Sequence, residues 1–137
     1  MEKSFMEDKN KLSIIRLWFK KAESDFKTIE NNLRSDDPPT DAICFHAQQA
    51  IEKYMKGSLI YFGESITKTH DLVNLLTLLV RYIPKLNELE EILDEISHYG
   101  VEVRYPDVFY DPTMEEAQKA SHIANKVKTI ILEKVKV

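Results

Sequence analysis

The amino-acid sequence predicts an all-α protein, and three observations support that prediction. The chain has 137 residues, 43% of them hydrophobic, which suits a single domain spanning 1–137 with its own core. It has only three glycines, too few for the tight turns of a β-rich fold. Its apolar residues recur every three or four positions, in stretches separated by proline and glycine. Short connections make neighbouring helices antiparallel, so we expect an up-and-down bundle of about five helices.

The first three predicted helices differ in how their apolar residues are arranged. The first covers about 12–33, where one narrow row is apolar. Its members are Ile15, Phe19, Ala22, Phe26, Ile29 and Leu33. The second covers about 41–62, with Thr40 as its N-cap and Gly63 at its end. The third, about 70–83, is apolar nearly all round, so we expect it to be the central, buried helix.

The last two predicted helices flank the one long connection. The fourth, about 86–99, is apolar on one side and acidic on the other. The fifth begins at a capping box formed by Thr113 and Glu116. Its apolar face consists of Ala117, Ala120, Ala124, Val127 and Ile131. Gly57 is the one glycine or proline that marks no helix boundary, and the long connection 100–112 is of the kind that often carries function.

Charge and cysteine content narrow the functional classes. A net charge of −4 argues against a protein that binds nucleic acid non-specifically through a positive field. The single cysteine, Cys44, cannot form an internal disulfide, which suits a reducing cytosol. Because no apolar stretch resembles a signal peptide or a membrane span, we expect a cytoplasmic protein with no membrane association.

Several enzyme classes lack their motifs in this sequence. It contains no Gly-rich phosphate loop, no Gly-x-Ser-x-Gly and no histidine pair with metalloprotease spacing. A di-iron centre in a helical bundle needs two Glu-x-x-His pairs, and the sequence has one, Glu95 and His98. We therefore expect no metal and no cofactor.

One candidate site is a polar row on the second predicted helix. Its members, spaced three, four and three residues apart, are His46, Gln49, Lys53 and Lys56. The lysines suit a phosphate group, and the other two side chains offer further hydrogen bonds. The alternative is an ordinary solvated helix face on which Glu52 and Lys56 form an i,i+4 ion pair.

The other candidate site is the long connection after Tyr99. Pro106 favours an extended Tyr105, so Arg104 and Tyr105 are presented from a stiff segment. Arg104 offers a bidentate fork for phosphate, and the aromatic rings offer faces on which a base can stack. We include Tyr99 and Asp107 in this site.

The alternative for this connection is purely structural. Arg104 would then pair with Glu102 or Asp107, while the aromatic side chains would close the end of the bundle. Residues 71–112 carry three basic and nine acidic side chains. Arg104 therefore suits one specific site rather than a broad basic track for nucleic acid.

Four stretches of the sequence, taken together, resemble the HEPN domain family. They are the run AICFHAQQAIEKYMK at 42–56, THDL at 69–72, RYPD at 104–107 and EEA at 115–117. The resemblance covers nearly the whole chain and implies a bundle of four or five helices that is commonly dimeric. Many small prokaryotic members are encoded beside a minimal nucleotidyltransferase, in pairs thought to act as toxin–antitoxin modules. Active members are metal-independent endoribonucleases.

The sequence departs from the catalytic pattern of that family. Its ribonucleases use an arginine followed, after four to six residues, by a histidine. None of the arginines here has a histidine at that distance, and Phe109, Tyr110 and Asp111 occupy the places after Arg104. Arginine is always charged and cannot move a proton, so the catalytic residue is unassigned, with Arg104 the one candidate. The sequence leaves open whether the protein is an enzyme.

The residues and the resemblance together lead to one expected function and two alternatives. We expect a component that binds a nucleotide or an RNA phosphate through Arg104 and Tyr105, with Lys53 and Lys56 in support. Its expected partner is a separately encoded minimal nucleotidyltransferase. One alternative is an endoribonuclease toxin that combines Arg104 with a histidine from elsewhere. The other is a non-catalytic helical adaptor for protein association.

The first predicted helix also indicates self-association. Ile14 and Trp18 flank its apolar row, and Leu17 lies on the opposite side. The helix thus has more apolar surface than one packed face requires. Taken together with the resemblance, which implies a commonly dimeric family, this surface favours a symmetric homodimer.

Overall fold

Five α-helices make up most of the chain in a computed structural model that describes residues 2–66, 68–100 and 111–137, with side chains from residue 8. They are α1 (Glu2–Leu33), α2 (Thr40–Tyr61), α3 (Leu72–Leu79), α4 (Glu90–Ser97) and α5 (Met114–Lys134). Two 3₁₀-helices, Pro84–Leu89 and His98–Gly100, stand on either side of α4. These ranges contain no β-strand, and the predicted all-α bundle is confirmed.

The second helix is the centre of the bundle. α2 contacts α1, α3, α4 and α5, and none of its residues is exposed. The prediction that the third helix is central is wrong, because α3 has only eight residues and leaves Asn74 and Thr77 exposed. The physical reason is that α2 buries polar side chains, whereas a hydropathy pattern assigns polar residues to a side of the helix that faces solvent. They are Gln48, Glu52, Lys56 and Ser58.

Side-chain hydrogen bonds cap the start of α5 but not the start of α2. The predicted capping box of α5 is confirmed: Glu116 N donates to the Thr113 hydroxyl at 3.0 Å, and Thr113 N donates to the Glu116 carboxylate at 3.3 Å. Thr40, in contrast, does not cap α2. It is the first residue of that helix, after Pro39, and its hydroxyl donates to Asp111 Oδ1 at 3.3 Å.

The predicted fourth helix is divided into three pieces. The 3₁₀-helix Pro84–Leu89 precedes α4, and a second 3₁₀-helix ends at Gly100. Leu86 and Leu89 are three residues apart, which suits a 3₁₀ turn, where side chains at that spacing superpose. The predicted apolar side is nonetheless buried, and its members are Leu86, Leu89, Leu93 and Ile96.

The apolar rows of the first and last helices pack as predicted. On α1 the row is buried from Ile15 to Ile29, and Leu33 is partly buried. On α5 the predicted apolar face from Ala117 to Ile131 is buried, and this face lies against α2. Among the helices of the described ranges, none is both long enough and apolar enough to cross a membrane.

Gly57 lies inside α2, where α1 packs against it. A methyl group at this position would come within 2.7 Å of Phe19 Cε1 and 3.1 Å of Trp18 Cβ. The Phe19 ring has little room to move, because it is buried with its centroid 4.7 Å from that of Tyr54. Gly57 therefore allows the close approach of α1 and α2.

We predict that Gly57→Ala destabilises the protein although alanine is the better helix former. Helix propensity alone would add about 1 kcal/mol to the free energy of unfolding. Overpacking a core costs about 1–3 kcal/mol, so a net loss of about 1 kcal/mol is expected in urea denaturation. Phe19→Leu removes the clashing atoms, so Gly57→Ala should cost less in that background. A Gly57→Ala variant more stable than the wild type would contradict the close-approach role.

Candidate functional site on the second helix

The predicted polar row meets two buried carboxylates, and the first belongs to α1. Asp25 is 6% exposed, and its oxygens lie 2.8 Å from His46 Nδ1 and 2.7 Å from Lys53 Nζ. His46 and Lys53 are about two helical turns apart on α2, so both reach the same carboxylate. A carboxylate buried to this extent needs such partners, because an unpaired buried charge is strongly destabilising. This Asp25 cluster (Asp25, His46, Lys53) joins α1 to α2.

The second buried carboxylate is Glu52, on α2 itself. Gln48 Nε2 donates to its Oε1 at 3.0 Å, and Lys56 Nζ donates to its Oε2 at 3.1 Å. His70, between α2 and α3, places Nδ1 3.1 and 3.2 Å from the two oxygens. These four residues form the Glu52 cluster, in which His70 alone has an exposed side chain, at 68%. The predicted Glu52–Lys56 pair is confirmed, but it lies in the interior rather than on a solvated face.

The polar row therefore has protein partners along its whole length. Gln49 Nε2 donates to Gln48 Oε1 at 2.6 Å, which connects the row to the Glu52 cluster. Lys53 and Lys56 each pair with a carboxylate, and their side chains are only 22% and 7% exposed. A phosphate approaching this face thus meets lysines whose charges are already balanced.

Both ends of the segment 101–110 are attached to α2. Gly100 packs so closely on Gln48 that a methyl group on the glycine would lie 2.8 Å from Gln48 Cδ. At the other end, Asp111 accepts the hydrogen bond from Thr40. Thr40 and Gln48 are two i,i+4 steps apart, about 12 Å along the helix axis. The two ends of segment 101–110 thus contact the side of α2 that carries Thr40, Gln48 and Glu52. This side is next to the predicted polar row.

Tyr99 connects this side of α2 to α5. Its hydroxyl donates to Glu116 Oε2 at 3.3 Å, and it also forms a hydrogen bond with the Cys44 thiol. Burial, reinforced by the charge of Glu116, raises the pKa of Cys44 to about 12. The thiol therefore stays protonated at neutral pH, which excludes Cys44 as a nucleophile.

The predicted site residues have different outcomes. Arg104, Tyr105 and Asp107 lie outside the described residues. His46 and Lys53 come together at Asp25, whereas Gln49 and Lys56 adjoin Gln48 and Glu52. The predicted polar row is thus shared between two clusters.

Sequence reasoning missed three residues of these clusters. Asp25 did carry a signal, because it follows Ala22 by three positions and precedes Ile29 by four, on the buried side of the first helix. A charged residue on an apolar face predicts a buried partner. Gln48 and His70 had no comparable signal, since their roles depend on how α2 meets the connection before α3.

Comparisons with known proteins agree with this architecture. The family model described as the HEPN domain matches residues 15–135, which include most of α1 and all of α2 to α5. The crystal structure of TT1696 from Thermus thermophilus is similar to this chain, with a TM-score of 0.77 and 26% sequence identity. That match covers 88% of this chain and 98% of TT1696. No curated protein matches the chain. Since the family match spans nearly all of the fold described above, the chain belongs to the HEPN domain family.

Proposed function

We propose that this HEPN domain protein binds the phosphate group of a nucleotide or an RNA on the side of α2 to which both ends of the 101–110 segment are attached. The observation that carries the proposal is the contact of Gly100 with Gln48 together with the hydrogen bond from Thr40 to Asp111. Arg104 follows Gly100 by four residues, which span at most about 14 Å when fully extended. This short sequence separation from Gly100 is the reason for assigning the phosphate contact to the guanidinium fork of Arg104.

The residues of the site have unequal roles in this proposal. Arg104 makes the direct phosphate contact, because Lys53 and Lys56 already balance buried carboxylates. Tyr105 provides a ring face for a base. The lysines act in support, by keeping the polar side of α2 free of net negative charge.

We further propose that the protein acts with a separately encoded minimal nucleotidyltransferase in a module of the toxin–antitoxin type. Membership of the HEPN domain family supports this pairing. A reading frame for such an enzyme beside the gene would be independent support for the partner, although it would leave the ligand open.

We predict that Arg104→Ala weakens the binding of AMP, ATP and a short single-stranded RNA. Losing one charged hydrogen-bond donor costs about 1.5–3 kcal/mol, or about a 10–100-fold rise in Kd, measured by fluorescence anisotropy and calorimetry. The slope of log K against log salt for RNA should also fall by about 0.7. Arg34→Ala, which removes an exposed arginine at the end of α1, is the matched control and should bind like the wild type. Equal binding by Arg104→Ala and the wild type, or no binding by either, would favour the adaptor alternative.

We also propose that the protein is a homodimer that uses the outer side of α1. Ile14 and Leu17 are 47% and 52% exposed, and with Trp18 and Lys21 they line a hollow of about 170 Å³. Large apolar side chains one turn apart, beside a partly buried tryptophan, favour a protein partner. A second copy of this chain is the occupant we infer, because two-fold pairing places the same apolar patch on both sides of the contact.

The dimer predicts that Leu17→Glu produces monomers. Light scattering should give twice the 16.0 kDa chain mass for the wild type and one chain mass for the variant, since two carboxylates would be buried in a symmetric contact. Ile66→Glu, at an exposed apolar residue elsewhere, is the control and should remain dimeric. A wild-type protein that is monomeric at micromolar concentration would refute the proposal.

A further inference from the structure

A groove separates α1 from α5. Both helices pack against α2 but have little direct packing with each other, and the hollow between them has a volume of about 330 Å³. Pockets for small ligands measure about 300–1,000 Å³, so this groove suits a ligand of metabolite size. It is lined by the second half of α1 and the middle of α5. Neither Lys53 nor Lys56 lines it, so it is distinct from the polar row of α2.

One end of the groove is closed by charges that already have partners. Glu23 accepts a hydrogen bond from the buried Tyr54 hydroxyl at 2.5 Å and lies 2.8 Å from Lys128 Nζ. The same nitrogen stands 5.1 Å from the centroid of the Phe26 ring. Burial, together with the bond to Glu23, raises the pKa of Tyr54, so the phenol stays protonated and remains a donor. Glu23 and Lys128 therefore need no ligand to balance their charges.

The charges that lack a protein partner in this groove are those of Lys27 and Glu30. Both side chains are exposed, and within the part of the chain that the structure describes neither forms an ion pair. On the α5 side, Asn125 Nδ2 donates to the Ser121 carbonyl oxygen at 3.1 Å, which leaves the Asn125 amide oxygen as an acceptor. The groove thus offers one cation, one anion and one neutral acceptor.

The apolar part of the lining lies beside these two charges on α1. Phe26 and Ile29 are buried and Leu33 is partly buried, so together they form an apolar surface one to two turns long. A phosphate at Lys27 would be repelled by Glu30, and an entirely apolar ligand would leave both charges without partners. The complementary ligand therefore carries an ammonium, a carboxylate and an apolar side chain.

We propose that the groove between α1 and α5 binds an aliphatic α-amino acid as its zwitterion. The ligand ammonium donates to Glu30 and to the Asn125 amide oxygen, and the ligand carboxylate accepts from Lys27. The aliphatic side chain packs on Ile29 and Leu33. Side chains three residues apart on a helix have Cβ atoms about 5–6 Å apart, so Lys27 and Glu30 can bracket two charged groups attached to one carbon.

Calorimetric titration of the full chain with L-leucine tests the ligand class. N-acetyl-leucine lacks the ammonium and leucinamide lacks the carboxylate, so each should bind about 10-fold more weakly, as expected for the loss of one charged hydrogen bond. Glycine, which has no side chain, should also bind more weakly than leucine. Equal binding of leucine and both analogues overturns the inference, and so does the absence of leucine binding at about 10 mM.

Two variants test the assignment of each charge. Glu30→Gln should abolish the preference for leucine over N-acetyl-leucine, and Lys27→Met should abolish the preference for leucine over leucinamide. Both side chains are exposed, so both variants should fold like the wild type. Lys20→Met, at an exposed lysine of α1 outside the groove, is the matched control and should bind leucine like the wild type. Preferences that survive in Glu30→Gln and Lys27→Met overturn the inference.

Backbone NMR locates the ligand without relying on any variant. Added leucine should shift amide signals in the second half of α1 and the middle of α5. Shifts confined to other parts of the chain would show that leucine binds elsewhere and would overturn the assignment of the groove.

Discussion

The enclosure of α2 is the constraint on which the rest of the structure depends. A helix surrounded by four others leaves little water for its polar side chains, so each buried one needs a protein partner. In the described part of the chain, every buried side-chain nitrogen and oxygen has one. The partners come from different directions: Asp25 from α1 and His70 from the connection before α3. Because hydrogen bonds are directional and apolar contacts are not, these few pairs fix how the neighbours are set against α2.

Sequence periodicity predicted the helices that have one apolar side. The rows on α1 and α5 and the capping box at Thr113 are local features, repeated every three or four residues, and all of them appear in the structure. The centre of the bundle could not be found in this way. Gln48, Glu52 and Lys56 look like a solvent-facing side, since the pattern cannot distinguish a polar residue facing water from one facing a buried partner. The role of Gly57 could not be predicted for a related reason, because it depends on the close approach of another helix.

The contacts in the candidate site are also of two kinds. Some join residues of one helix, and others join residues far apart in the sequence. The Glu52–Lys56 pair follows from i,i+4 spacing on one helix, and it was predicted. The pairs of Asp25 with His46 and of Glu52 with His70 join residues 21 and 18 positions apart, which no spacing within a helix can reveal. Successive residues of a helix are about 100° apart around its axis, so adjacent rows contact different neighbours. His46 and Lys53 therefore face α1, whereas Gln48 faces Gly100.

The contacts of Lys56 show how a charged side chain on α2 stabilises the protein interior. Its ammonium nitrogen lies 5.8 Å from the centroid of the Trp18 ring and 3.1 Å from Glu52 Oε2. A lysine suits this position because its apolar stem packs in the core while its ammonium group contacts both a ring face and a carboxylate. A methionine here would pack equally well but would leave a buried carboxylate without its cation, at a cost of about 3–5 kcal/mol. The same contacts run from the outer side of α1, through Trp18, Lys56 and Glu52, to the exposed imidazole of His70. Lys56 is therefore engaged by partners within the protein, a ring face on one side and a carboxylate on the other.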